Sequence, residues 1–232
     1  VTPIIPRRPS AEQEWKTAWW AVIAVLVSLT VAKHVAGFAG PYGSYIYTAV
    51  AALQLYLPLY LTRRLPNQSE RLGIHASGVI SELKTVVLLS LIVFPLFAIG
   101  HHFYQTLFFG KVFQFKMVTG LPELILTHTL AVALPEELFY RGYFQVALER
   151  KWKPQRRWFG VRMGWAVVIT AALFALGHFL GEYNPLRLGP FFPAFLFSWL
   201  RSRRGSLWGA VLFHAGANIL GQTLFVWYTT PK

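Results

Sequence analysis

Apolar residues in this chain arrive in long blocks rather than in short amphipathic pieces. Seven such segments can be drawn: Thr17–Phe38, Tyr45–Leu61, Lys84–Phe103, Leu121–Leu148, Met163–Leu180, Leu188–Leu200 and Ser206–Tyr228. A helix of ~20 apolar residues crosses a hydrocarbon core of ~30 Å, and most of these blocks approach that length. The sixth is short and carries Pro190 and Pro193. The first follows Arg7 and Arg8 as a secretory signal would, but its run is too long and comparable segments follow, so it reads as a retained helix. The expected fold is therefore all-α: a polytopic transmembrane helical bundle of about seven membrane spans, with the active site in its core. Phe103–Gly120, with Phe108, Phe109, Phe113 and Phe115 around Lys111 and Lys116, is too polar to span and reads as an interfacial helix or loop. No repeat, low-complexity run or linker divides residues 1–232, which read as one integral membrane domain.

Composition sharpens this picture. Hydrophobic residues make up 55% of the 232 and charged residues 13%, where a soluble domain carries roughly 25% charge. There is no cysteine, which excludes disulfides, thiolate nucleophiles and zinc–thiolate sites. The net charge of +13 would suggest nucleic acid in a soluble protein, but no basic–aromatic recognition motif accompanies it and none is expected to bind. Instead the basic residues sort by loop. One alternating set holds sixteen: Arg7, Arg8, Lys16, Arg63, Arg64, Arg71, Lys84, Arg150, Lys151, Lys153, Arg156, Arg157, Arg162, Arg201, Arg203 and Arg204. The other holds five: Lys33, Lys111, Lys116, Arg187 and Lys232. By the positive-inside rule the N-terminus is cytoplasmic and the C-terminus extracytoplasmic, and a prokaryotic cell membrane is the expected setting.

Chemistry is concentrated in three places. The fourth segment carries Leu134-Pro-Glu-Glu-Leu-Phe-Tyr-Arg, although an ionised side chain at mid-bilayer costs roughly 2.5–3.5 kcal/mol. Glu137 and Arg141 stand at i and i+4, where a carboxylate meets a guanidinium on one helix face. Glu136 projects about 100° away and is the carboxylate left over. Pro135 removes a backbone donor and should kink the helix. The fifth segment ends in Phe174-Ala-Leu-Gly-His178, and the seventh carries His214-Ala-Gly-Ala-Asn218. His214 and Asn218 lie one turn apart on one face, and the small residues between them let another backbone approach. One unpaired carboxylate, two imidazoles and a carboxamide suffice to hydrolyse an amide with activated water and oxyanion donors. No Gly-x-Ser-x-Gly, His-Glu-x-x-His or Walker motif is present.

Glu-Glu-x-x-x-Arg, then Phe-x-x-x-His, then His-x-x-x-Asn, in that order on successive apolar segments, resembles the CPBP family, the CAAX prenyl endopeptidases and bacteriocin-processing enzymes also called Abi proteins. Arg203-Arg-Gly-Ser-Leu-Trp208 resembles that family's approach to its last motif, and the likeness covers about residues 121–220. It implies an intramembrane endopeptidase of glutamic type, without cofactor, cutting near the C-terminus or membrane tether of a membrane-associated protein. Glu136 and His178 would activate water, His214 and Asn218 would form the oxyanion site, and Glu137 with Arg141 would brace the helix. Two other readings stay open. Glu136, His178 and His214 form a set that could hold zinc with one open position. A transporter or membrane adaptor would use the same residues as a buried polar network. Counting about 1.5 Å per residue from the basic loops places His214 roughly 13 Å and His178 roughly 22 Å into the core, at mid-depth or beyond.

Overall fold

The structure is a computed structural model that describes residues 9–75 and 79–231. Arg7, Arg8 and Lys232, which entered the charge count, lie outside them. The chain is 78% helical. Among the described residues ten α-helices follow in order: α1 Ala11–Ala36, α2 Gly43–Thr62, α3 Gln68–Leu72, α4 Val79–Phe103, α5 Leu121–Leu126, α6 Leu134–Glu137, α7 Gln145–Lys151, α8 Trp165–Glu182, α9 Phe191–Arg204 and α10 Trp208–Val226. Two short antiparallel ribbons accompany them, β1 Val112–Phe113 with β4 Tyr228–Thr229, and β2 Arg156–Trp158 with β3 Val161–Met163.

Among the described residues four helices are long and apolar enough to cross a membrane: Ala11–Ala36, Glu82–Phe108, Trp165–Glu182 and Trp208–Val226. The chain is an integral membrane protein, and a count of seven spans is not confirmed. The remaining candidates fall short for visible reasons. Helix α2 contains Gln54, Pro58 and four tyrosines, α9 is 14 residues ending in three arginines, and the stretch 121–151 is interrupted and charged. In the Glu82–Phe108 span only 6% of the apolar window is buried. Leu88, Leu91, Ile92, Leu96 and Ile99 all point outward. Such a continuous apolar face is stable against lipid and costly against water.

Helix α1 begins at Ala11, before the apolar run opens at Thr17, because Ser10 and Gln13 close a capping box. The Ser10 hydroxyl accepts from the Gln13 amide at 3.1 Å and the Gln13 side chain accepts from the Ser10 amide at 2.9 Å. The stretch 121–151 is one continuous rod with two changes of pitch. Residues Thr127–Ala133 and Leu138–Phe144 are π-helical, on either side of α6. Pro135 has no amide to donate, and the ladder ahead of it shifts so that Leu134 donates to Thr129, five residues back.

Contacts gather the basic loops at one end of the bundle. Glu14 of α1 pairs with Arg71 of α3 and with Arg150 of α7, and Glu12 pairs with Lys151. Arg201 donates to the Arg71 carbonyl at 2.9 Å, and Arg204 lies 3.5 Å from the buried Glu82 carboxylate. Leu72 plugs this end, and its carbonyl lies so close to Gly142 that a Cβ there would meet it at 2.8 Å. At the opposite end Tyr47 donates to the Gly181 carbonyl at 3.2 Å and His102 bonds the Tyr228 hydroxyl at 2.8 Å. The stretch expected as an interfacial helix or loop continues α4 as a π-turn, Tyr104–Phe108, and then becomes β1, paired with the C-terminal strand.

Opposite ends of a membrane bundle face opposite compartments. Single cysteines at Gln155, beside the basic hairpin, and at Met117, which is 87% exposed at the other end, should therefore label with an impermeant thiol reagent from opposite sides of sealed vesicles, Gln155→Cys from the cytoplasm. Labelling of both from one side would break this arrangement.

Candidate active site

The three motifs lie on neighbouring helical stretches. Glu136 and Glu137 end α6, Arg141 follows in the second π-segment, His178 lies in the last turns of α8, and His214 and Asn218 occupy the middle of α10. Glu137 is fully buried and its Oε1 serves two donors. Arg141 Nη1 lies at 3.0 Å and His214 Nδ1 at 2.8 Å. The pairing with Arg141 is the i, i+4 contact that the spacing anticipates. The bond to His214 joins residues 77 positions apart, and no local pattern announces it.

Aromatic rings wall the charged groups. The Arg141 guanidinium lies 4.2 Å from the centroid of Phe174 and 5.2 Å from that of Phe197, a cation–π arrangement suited to a charge removed from water. The His214 ring stacks on Phe197 at 4.7 Å with planes 12° apart. Phe174 also touches the His178 ring, centroid to centroid 4.5 Å, and meets His214 at 5.8 Å. Phe174 is thus a shared wall for Arg141, His178 and His214. Sequence reasoning used it only as a motif letter and missed Phe197, which carries no signal beyond being aromatic.

With Nδ1 committed to Glu137, Nε2 of His214 faces the other glutamate. It lies 3.8 Å from Glu136 Oε2, beyond hydrogen-bonding distance. That oxygen is buried and finds no partner among the described residues, although the side chain as a whole is 21% exposed. The sequence reading has Glu136 and His178 activate water together, and the structure adds an approach of Glu136 to His214. His178 gives its Nδ1 hydrogen to the Phe174 carbonyl at 2.9 Å, which leaves Nε2 as its free nitrogen. Asn218 is half-buried in α10, and its side chain makes no hydrogen bond to another described residue. Among the described residues, no three His, Cys, Asp or Glu side chains converge closely enough to share a metal ion.

Residues 118–220 match the family model described as Type II CAAX prenyl endopeptidase Rce1-like. This match supports assigning these residues to the CPBP family of CAAX proteases. No curated protein and no solved structure matches the chain. The CPBP segment runs from just before α5 through most of α10 and contains all six site residues. The family supports a CAAX-type intramembrane endopeptidase, which acts on a membrane-associated protein within the bilayer. Helices α1 to α4 precede the matched segment, and they pack the CPBP core from outside. Leu26 and Leu29 of α1, for instance, sit against Gly177, next to His178.

Replacing Arg141 by alanine would leave Glu137 buried without its cation. Loss of one partner from a buried pair costs about 3–5 kcal/mol, so Arg141→Ala should lower both the yield and the thermal midpoint of the detergent-purified protein. A variant as stable as the parent would show that Glu137 does not depend on the guanidinium.

Proposed function

We propose that this chain is a glutamic intramembrane endopeptidase, in which Glu136 activates water and His214 with Asn218 holds the oxyanion. The observation that carries this reading is the 3.8 Å separation of Glu136 Oε2 and His214 Nε2. The two groups face each other without bonding, so one water molecule can reach both. The scissile carbonyl then lies between its nucleophile and its oxyanion donors.

The steps follow from what each side chain can give. Glu136 takes a proton from water as the water oxygen attacks the carbonyl carbon. The negative oxygen of the tetrahedral intermediate is met by N–H groups of Asn218 and of His214 Nε2, one turn apart on α10, with His214 carrying a hydrogen on each ring nitrogen, one for Glu137 and one for the oxyanion. Collapse breaks the C–N bond, and the proton is returned to the leaving amine, with the free Nε2 of His178 as the second proton carrier near Glu136. Glu137 acts through His214: by accepting from Nδ1 it fixes the ring plane and aims Nε2, and Arg141 neutralises the charge that this orientation requires. Protein groups alone supply the chemistry, and the substrate is cut near its C-terminus or membrane tether.

The depth of the site bears on where substrate enters. Glu136 lies about 22 Å along the rod from Lys151, His178 about 20 Å from the start of α8, and Asn218 about 15 Å from the start of α10, at about 1.5 Å per residue. All three distances run from the basic end. With that end in the cytoplasm, the site occupies the middle or outer half of a core about 30 Å thick, and water reaches Glu136 by the shorter path from the extracytoplasmic side. The natural substrate is then the C-terminal region of an exported, membrane-tethered protein.

Two outcomes test the chemistry. Glu136→Gln should insert and fold as the parent does while cleavage falls by at least about a hundredfold, the scale of general-base catalysis. The measurement is the set of membrane-protein C-termini produced in cells carrying each form, and unchanged processing by the Gln variant would remove the central residue. Activity should also survive strong chelators, with no stoichiometric zinc in the purified protein. Loss on chelation and return with zinc would make Glu136, His178 and His214 ligands instead.

A further inference from the structure

A second polar cavity lies at the basic end, away from the site above. It has a volume of about 360 Å³ and is lined by Gln145 and Glu149 of α7, Arg162 of the β2–β3 hairpin, and Arg201 and Ser202 of α9. Two of these side chains are more than nine-tenths buried and carry atoms with no partner among the described residues. Gln145 is 1% exposed and its Oε1 accepts nothing, and Arg201 is 7% exposed and its Nε donates to nothing. The amide nitrogen of Gln145 donates to Glu149 Oε1 at 2.9 Å and to the Ser202 hydroxyl oxygen at 3.2 Å. That leaves the Ser202 hydrogen free to donate. The lining is therefore divided. Arg162, Arg201 and Ser202 offer donors and positive charge, and Glu149 with the Gln145 carbonyl oxygen offers acceptors and negative charge. Buried polar atoms left unpaired, as at Gln145 and Arg201, are expensive unless a ligand satisfies them.

The hairpin beside the cavity adds an independent observation. Its tip, Trp158-Phe159-Gly160, exposes Trp158 at 56% and Phe159 at 90%. Phe159 and Gly160 both have positive φ, +46° and +81°. Positive φ at both positions is what a two-residue hairpin turn requires. The turn holds an exposed aromatic ring on a hairpin that also carries Arg156, Arg157 and Arg162, the composition of a segment resting at headgroup level. Trp165, at the start of α8, is 73% exposed.

We propose that this cavity binds a phosphoethanolamine group, with phosphate against Arg162, Arg201 and Ser202 and the primary ammonium against Glu149 and Gln145 Oε1. One cation and one anion on the ligand match the divided lining, which a simple anion would satisfy on one side only. The same chemistry is carried by a membrane lipid with this headgroup and by the free zwitterion, and the hairpin at headgroup level favours the lipid.

The test uses the full-length protein in detergent, with retained lipid read by native mass spectrometry and stability by thermal unfolding. The probes are phosphatidylethanolamine, phosphatidylcholine, phosphatidylglycerol and soluble phosphoethanolamine. Phosphatidylethanolamine should be retained and should raise the midpoint, and phosphatidylcholine, whose quaternary ammonium has no N–H to donate, should not. Arg162→Gln, at an exposed position that leaves folding intact, should weaken retention by at least about tenfold, and Glu149→Gln should shift the preference toward phosphatidylglycerol. Competition by millimolar phosphoethanolamine would assign the cavity to the free zwitterion, and its failure to compete would assign it to the lipid. Equal retention of all three lipids, preference for phosphatidylglycerol in the parent, or an unchanged preference in both variants would overturn the proposal.

Discussion

One buried carboxylate organises the centre of this molecule. Glu137 has no contact with solvent, and in a low-dielectric bundle it is tolerable only because Arg141 and His214 share one of its oxygens. Each partner is then constrained in turn. Arg141, equally buried, lies against Phe174 and Phe197, and His214 is stacked on Phe197. The rings that cover the cation therefore also position the imidazole. Because the three charged or polar groups come from the rod 121–151 and from α10, the same interaction that neutralises Glu137 fixes the relative rotation of those two helices. Nε2 of His214 has its direction from that rotation.

The basic end works on the same principle with more water present. Glu14 and Glu82 are nearly or fully buried carboxylates, and each draws arginines from loops distant in sequence. Arg71, Arg150 and Arg204 thereby tie α1, α3, α4, α7 and α9 together below the site. Exposed pairs of this kind contribute little, but Glu14 is 9% exposed in its side chain and holds two guanidiniums at once. Leu72 is seated between these pairs and the rod, where only a glycine at position 142 leaves room for its carbonyl.

Much of this was legible in the sequence, and the divide is one of range. Apolar blocks located every long helix, because burial in lipid demands an unbroken run. Helix α1 begins six residues before the apolar segment that opens at Thr17, because its first turn is polar and is held by a capping box rather than by hydrophobicity. The contact between Glu137 and Arg141 could be read from spacing, since helix geometry alone sets it. The contact between Glu137 and His214 could not, and neither could the approach of Glu136 to His214, since both depend on how two helices are rotated against each other. The ribbon of β1 with β4 joins residues more than a hundred positions apart through strands of two residues, too short for any alternation to register. Among the described residues four of the seven blocks qualify as spans by length and composition, and the other three are more polar, broken or short.

The two π-segments around α6 carry a consequence that concerns chain length more than residue type. A π-turn holds one residue more than the α-turn it replaces, so each behaves as an insertion stored within a helix. Removing one residue from 127–133 would let that turn relax to the α pitch with little net rotation of its flanks, since about five π residues and about four α residues each make roughly one turn. What is lost is the wide turn itself, and in 138–144 that turn carries Arg141. A single-residue gap in the α-helical stretches on either side would instead rotate the flanks by about 100°. Among relatives, single-residue length differences between Gly120 and Arg150 should therefore fall at these two turns.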